Sequence, residues 1–199
     1  SSTKGFAFIT TEYLSLAISN IRLKTRLHEL SIRDPLTKLY NRRYMNDIVD
    51  RETNKARRSG ATLGMIMVDL DHFKHINDKF GHDAGDEVLR KVACVLESDL
   101  RSEDIVCRFG GEEFFILLCT GNYQDYINRS QELRKRIKAL DIFFGGQQIA
   151  PLSASFGVGV FPDHGKTFEE ILKIADQALY IAKERGRNQV VGGFEVTQL

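Results

Sequence analysis

The stretch "DIVCRFGGEEFFILLC", residues 104–119, constrains this chain more than any other. Two short apolar runs flank Gly110-Gly111, an arrangement that predicts a β-hairpin with the glycines at its turn. A plain hairpin turn is served by asparagine, aspartate or glycine. It has no need of Glu112 and Glu113, adjacent carboxylates that repel each other unless a cation sits between them.

The rest of the chain supplies the frame for that hairpin. "ATLGMIMVDLD" reads as a buried strand that emerges into Asp69 and Asp71. The segment after it reads as a short helix, a loop around Gly81 to Gly85 and a long helix. A polar helix is expected from about Asn41 to Ser59, ended by Gly60, and further helices over 124–140 and 167–185. Strands are expected around "FFGGQQIA" and "LSASFGVGVFP", with "NQVVGGFEV" as a terminal edge strand. Strands and helices mix without strict alternation, so the fold class is α+β: a central, mostly antiparallel sheet covered by helices. Residues 6–32 read as one long helix. Ile9, Leu16, Leu23 and Leu30, with Tyr13, Asn20 and Leu27 between them, have the spacing of a coiled-coil seam, although a helix packed on its own domain fits the same pattern. The expected division is a signalling helix over 1–31 and a globular domain over 32–199.

Composition narrows the function. The 199 residues hold 28 basic and 27 acidic side chains, a net charge of +1, which argues against a broad nucleic-acid surface. No apolar run reaches the ~18 residues of a membrane span. Cys94, Cys107 and Cys119 form no CxxC pair and are expected to be buried, reduced thiols of a cytoplasmic protein.

Alternate residues of a strand share a face, so Asp69 and Asp71 point one way and Leu70 the other. If that strand lies beside the hairpin, its acids meet Glu112 and Glu113. Hard oxygen donors of this kind suit Mg²⁺, which often takes one or two carboxylates and completes its shell with substrate phosphates. Two such ions can clamp the oxygens of a phosphoryl transfer. Glycines at the turn would let a polyphosphate approach the backbone.

With these features in place, "RFGGEEF" resembles the signature of the GGDEF family, the diguanylate cyclases, in its Glu-for-Asp form. "DPLTKLYNRR", "DLDHFKHINDKFGHDAGD" and "ALYIAKERGRNQV" resemble its other signature stretches, with Lys38 where glycine is commoner. The resemblance covers about residues 32–196 and implies a ferredoxin-like, palm-like nucleotidyl cyclase fold behind an N-terminal helical stalk. It also implies a reaction, the condensation of two GTP into cyclic di-GMP and two pyrophosphates. Residues 6–23 look like the last helix of a GAF-type sensor, which implies a sensory region ahead of the cyclase.

The resemblance assigns roles by position. Asp69, the Leu70 carbonyl, Glu112 and Glu113 would hold Mg²⁺ or Mn²⁺, two ions with substrate bound, and Glu112 and Glu113 would be catalytic. Asp71 is a weaker, more structural candidate. Asn77 and Asp86 would read guanine, where a carboxylate can accept from N1–H and N2–H₂ as it cannot from adenine. Phe73 and Lys74 at a helix start, with Lys183 and Arg187, would meet the phosphates. Arg108 would support the hairpin or a phosphate. "RSED", Arg101 to Asp104, resembles the RxxD site at which cyclic di-GMP inhibits, with Arg136, or else Arg134, completing it. One domain holds one GTP, so the implied partner is a second copy, a homodimer held by the N-terminal helix with its domains face to face. A catalytically silent module that only binds GTP or cyclic di-GMP is the alternative. A mononucleotide cyclase or a maker of mixed dinucleotides is a third.

Overall fold

The structure is a computed structural model that describes residues 18–23, 31–149 and 151–196. Most of the expected seam lies outside them. Residues 18–23, with Asn20 and Leu23, are helical and exposed.

A six-stranded sheet forms the centre. Its strands are β1 (Tyr40–Asn41), β2 (Leu63–Leu70), β3 (Ile105–Gly110), β4 (Glu113–Leu118), β7 (Ala154–Phe161) and β8 (Val190–Gly192), in the order β1-β3-β4-β2-β7-β8. The inner pairs are antiparallel, and only the short outer strands β1 and β8 pair in parallel. All residues of β2 and β7 are buried, because both faces of the sheet are covered. Met65 and Met67 face one core with α1 (Arg42–Ser59) and α5 (Phe168–Glu184). Ile66 and Val68 face the other, with α2 (Phe73–Phe80), α3 (His82–Ser98) and α4 (Tyr123–Lys138). The strand period of two thus decides which helices each side chain of β2 meets.

The local signals act as expected at most ends. Asn41 caps α1 by accepting from the Tyr44 amide, and Gly60 stops it with φ +70°. Thr167 and Glu170 form a capping box on α5. Four expectations change. No loop spans Gly81 to Gly85: Gly81 alone, with φ +87°, separates α2 from α3, and Gly85 lies inside α3. "FFGGQQ" is a complete hairpin, β5 (Phe143–Phe144) and β6 (Gln147–Gln148), forming a second sheet. Only Val190–Gly192 of the last run is strand, and α6 (Gly193–Val196) follows it. All three cysteines are free, but only Cys107 is buried, while Cys94 is exposed on α3.

Candidate active site

Register builds the site. Asp69, next to last in β2, pairs with Glu113 on β4 and with Ser155 on β7. By the two-residue period Asp69 falls on the face of Met65 and Met67, and Glu113 on that of Phe115 and Leu117, so both look toward α5. The last turn of α5 answers with Lys183, whose Nζ lies 2.8 Å from Asp69 Oδ2. Sequence reasoning assigned Lys183 to phosphate; here its ammonium sits on the aspartate. Glu112 joins the group at the turn, where its carbonyl accepts from the Leu70 amide at 3.4 Å.

The negative charge at this spot exceeds its neutralisation. Asp69 is 8% exposed, and burial pushes its carboxyl above the ordinary range, with Glu112 and Asp71 adding to the rise and Lys183 opposing it. Burial raises Glu113 as well, reinforced by Asp69, Asp176 and Glu112. Asp176, exposed on α5, was missed by sequence reasoning. It stands seven residues before Lys183, two helical turns along the same stripe, and that spacing was the one available signal.

Asp71 has a different task. It is 5% exposed, and its carboxylate accepts from Ser153 Oγ and Ser155 Oγ, each at 2.7 Å, and from the Asn188 amide at 3.0 Å. It therefore ties the end of β2 to β7 and to the turn after α5. That turn carries Arg187, exposed and with φ +65°, and Arg134 grips it from α4 through Asn188 O and Oδ1 at 3.1 and 2.8 Å.

The hairpin tip is braced from behind. Arg108 donates from Nε and Nη2 to the Gly111 carbonyl at 3.0 and 2.8 Å and pairs with Asp34 at 3.3 Å. A Cβ added at Gly110 or Gly111 would meet no protein atom within 4 Å, although Gly111 has φ +53°. Protein packing therefore makes no demand for glycine at 110, and the room in front of the turn is open.

The expected base-reading pair lies across the α2–α3 elbow. Asn77 Oδ1 is buried with no hydrogen-bond partner. A Cβ at Gly85 would come within 1.9 Å of it, so Gly85 makes the place that this carboxamide occupies. Asp86 is half-buried one residue further along α3. Phe73, 7% exposed, backs Gly85 at the start of α2, and Lys74 beside it is exposed. A cavity of about 430 Å³ lies at the open end of the β3–β4 hairpin, opposite the glycine turn, and is lined by Arg101, Asp104, Thr120, Asp125 and Arg129 among others. Asp104 holds the Arg101 amide at 3.1 Å and the Cys119 amide at 3.0 Å. Arg136 is not part of that lining: it pairs with Asp99 and reaches Ser98. Arg129 is the α4 arginine that the fold brings to the cavity.

A sheet of this order, with paired acids at the end of its middle strands and a glycine turn beside them, defines a class, and comparison with known proteins bears it out. Residues 31–189 match the family described as "Diguanylate cyclase, GGDEF domain", and the chain belongs to that family. It is 41% identical over 163 residues to "Diguanylate cyclase DosC" of Escherichia coli K12, covering 82% of this chain and 35% of DosC. The chain thus spans about a third of that relative's length. The GGDEF domain of DgcB from Caulobacter crescentus, solved in complex with c-di-GMP, superposes with a TM-score of 0.78 at 30% identity, covering 82% of this chain and 96% of that one. The structure described as the active GGEEF domain of a diguanylate cyclase from Vibrio cholerae superposes at 0.71, with 32% identity over 76% of this chain and 96% of that one.

Proposed function

We propose that this chain is a diguanylate cyclase domain that joins two GTP into cyclic di-GMP and releases two pyrophosphates. The observation that carries this reading is the cross-strand pair Asp69–Glu113, with raised proton affinities, beside Lys183 and the open glycine turn. In each half-reaction a 3′-oxygen bonds to the α-phosphorus of the other GTP, and the bond from that phosphorus to the oxygen bridging the α- and β-phosphates breaks.

The donor set fits a divalent metal. Asp69, Glu112, Glu113 and the Leu70 carbonyl are hard oxygen donors, and Lys183 alone does not balance their charge. Mg²⁺ usually takes one or two carboxylates and completes its shell with water and substrate phosphates, which is the part the triphosphate would play here. Mg²⁺ or Mn²⁺, two ions with substrate, would neutralise the phosphates and polarise the reacting one when bound.

The chain's own groups do the rest. Glu113, its proton affinity raised by burial and by Asp69, is suited to take the 3′-hydroxyl proton. Lys183, Arg187 and Lys74, with the amides at the start of α2 next to Phe73, would bind the triphosphate. Asn77 Oδ1, buried and unpartnered, and the Asp86 carboxylate would accept from guanine N1–H and N2–H₂. A site built around those donors rejects a base lacking them by a large factor. Since one domain offers one such site, two copies would face each other, held by the N-terminal segment of residues 1–31 while 32–199 carries the chemistry. Arg101, Asp104 and Arg129 would bind the product and restrain the enzyme, in place of the expected Arg136. The cytoplasm, where GTP is made and used, is the expected compartment.

The silent-sensor alternative is disfavoured because Asp69, Glu112, Glu113, Asn77, Asp86, Lys183 and Arg187 are all present. Incubation with GTP and Mg²⁺ or Mn²⁺, followed by nucleotide chromatography, tests the proposal. Cyclic di-GMP should form with a specific rate that rises steeply with protein concentration. Its absence at every concentration would overturn the reading.

A further inference from the structure

A slot separates α3 from the β5–β6 hairpin, away from the acids at the strand ends. It holds about 450 Å³, with Asp83, Asp86, Glu87 and Arg90 on the helix side and Phe143, Phe144 and Gly145 on the hairpin side. Asp86 and Arg90 are one turn apart, so they stand on one face of α3. Arg90 is steadied by Glu87, 3.3 Å from its Nη1, and Glu87 is shared with Lys91 at 3.9 Å. A guanidinium has five N–H donors, so one bond to Glu87 leaves others for a ligand.

The hairpin is a firm wall. Gly145 and Gly146, with φ of +56° and +79°, make the two-residue turn that needs positive φ at both positions. The Ile149 amide extends the pairing to Ile142 O at 2.8 Å, and Phe144 packs on the main core. Phe143 is left 63% exposed beside the slot.

The slot thus offers a carboxylate acceptor, a guanidinium donor one turn away and an aromatic ring opposite. That set fits a flat heterocycle with donors on one edge and acceptors on the next. Guanine has this pattern: N1–H and N2–H₂ adjoin O6, and O6 adjoins N7. Adenine presents an amine where guanine has O6.

We propose that Arg90 and the tip of the β5–β6 hairpin complete the guanine pocket. Arg90 donates to O6 and N7 of the base that Asp86 holds by its N1–H and N2–H₂ edge, and Phe143 lies against the base plane. This rests on the reading of Asp86 as the guanine acceptor. Arg90 and Phe143 are then specificity and affinity residues for GTP.

Binding of GDP and 7-deaza-GDP, measured by calorimetry, tests it without turnover, since neither nucleotide can release pyrophosphate. In 7-deaza-GDP a carbon replaces N7. The unaltered protein should bind it roughly tenfold more weakly than GDP, the loss of half of a bidentate contact. Arg90→Ala should bind the two equally, and Arg90→Lys, which keeps the charge without the fork, should fall between. Phe143→Ala should weaken both nucleotides equally, by roughly tenfold, as loss of one stacked base predicts. Retention of the wild-type ratio in Arg90→Ala, or wild-type GDP affinity in Phe143→Ala, overturns the proposal. Asp86→Ala separates it from its foundation. If Asp86→Ala binds GDP normally, the guanine site itself is misplaced and the proposal falls with it. If Asp86→Ala loses GDP while the Arg90 and Phe143 variants do not, only the extension fails.

Discussion

Replacing Gly85 with alanine adds a single methyl group in α3, and the structure says where the consequence falls. The new Cβ would lie 1.9 Å from Asn77 Oδ1, 3.0 Å from Asn77 Cγ and 3.1 Å from Phe73 Cζ. The nearest atom is the free end of a short side chain, so the carboxamide can rotate away without moving the backbone. Alanine gains about 1 kcal/mol of helix propensity over glycine, and the forced repacking costs about 1–3 kcal/mol. The net loss is then at most about 2 kcal/mol, a fall in Tm of no more than about 8 °C for a domain of this size. The effect on guanine should be larger. Turning Asn77 aside leaves a donor of the base unsatisfied, at about 1–3 kcal/mol, or roughly 5- to 150-fold in Kd. Thermal unfolding and GDP calorimetry on the same preparation read both quantities. The variant with Asn77→Ala as well should bind no worse than Asn77→Ala alone, because both changes remove one contact. Wild-type GDP affinity in Gly85→Ala, or full additivity with Asn77→Ala, would refute this account of the elbow.

Three further outcomes follow from the geometry. Asp71→Asn sets an amide N–H₂ against groups that already donate, Ser153, Ser155 and the Asn188 amide; a loss of about 2–4 kcal/mol is expected, seen as a Tm lower by about 5–15 °C. Glu113→Gln should abolish product yet raise the metal-free Tm, because it removes one of the like charges crowded around Asp69. The folded-state proton affinities of Asp69 and Glu113 are raised, so the native state keeps those protons longer than the unfolded chain. Stability from this site is therefore full below the ordinary carboxylate range and declines as pH rises through the folded values. Glu113→Gln should flatten that decline in a Tm-against-pH series, and a steeper decline would contradict it. Arg108→Ala removes the brace on the Gly111 carbonyl and the pairing with Asp34; amide exchange at Gly111–Glu113 should quicken while exchange in α3 stays unchanged.

Much of this molecule can be read from local pattern. The hairpin, the buried strands and the capped helices rest on short-range rules of turn chemistry and periodicity, and those rules act within a few residues. Strand β1 escapes such reading because two residues carry no period; it exists only because β3 offers Tyr40 and Asn41 a parallel partner. The "FFGGQQ" hairpin escapes it too, because the strands on either side of Gly145-Gly146 are two residues each and carry no period. The loop expected at Gly81–Gly85 counted both glycines as breakers, whereas Gly85 serves the contact with Asn77 inside a helix.

The same division runs through the site. The sequence by itself determined which acids stand at the strand ends, because Asp69, Glu112 and Glu113 end or begin apolar runs whose direction is set locally. Spacing alone put Asp71 on a par with Asp69; its bonds to Ser153, Ser155 and Asn188 are what set it apart. Only the tertiary structure decided their company. Asp69 meets Glu113 through the β2–β4 register, and Lys183 and Asp176 arrive because α5 packs on the odd-numbered face of the same strands. Arg129 rather than Arg136 lines the cavity by Arg101 because residues seven apart on α4 come under different neighbours, Arg136 being taken by Asp99. Chain-local forces write the identities of these charges, but which charges touch depends on how elements far apart in sequence bury their apolar faces against one sheet.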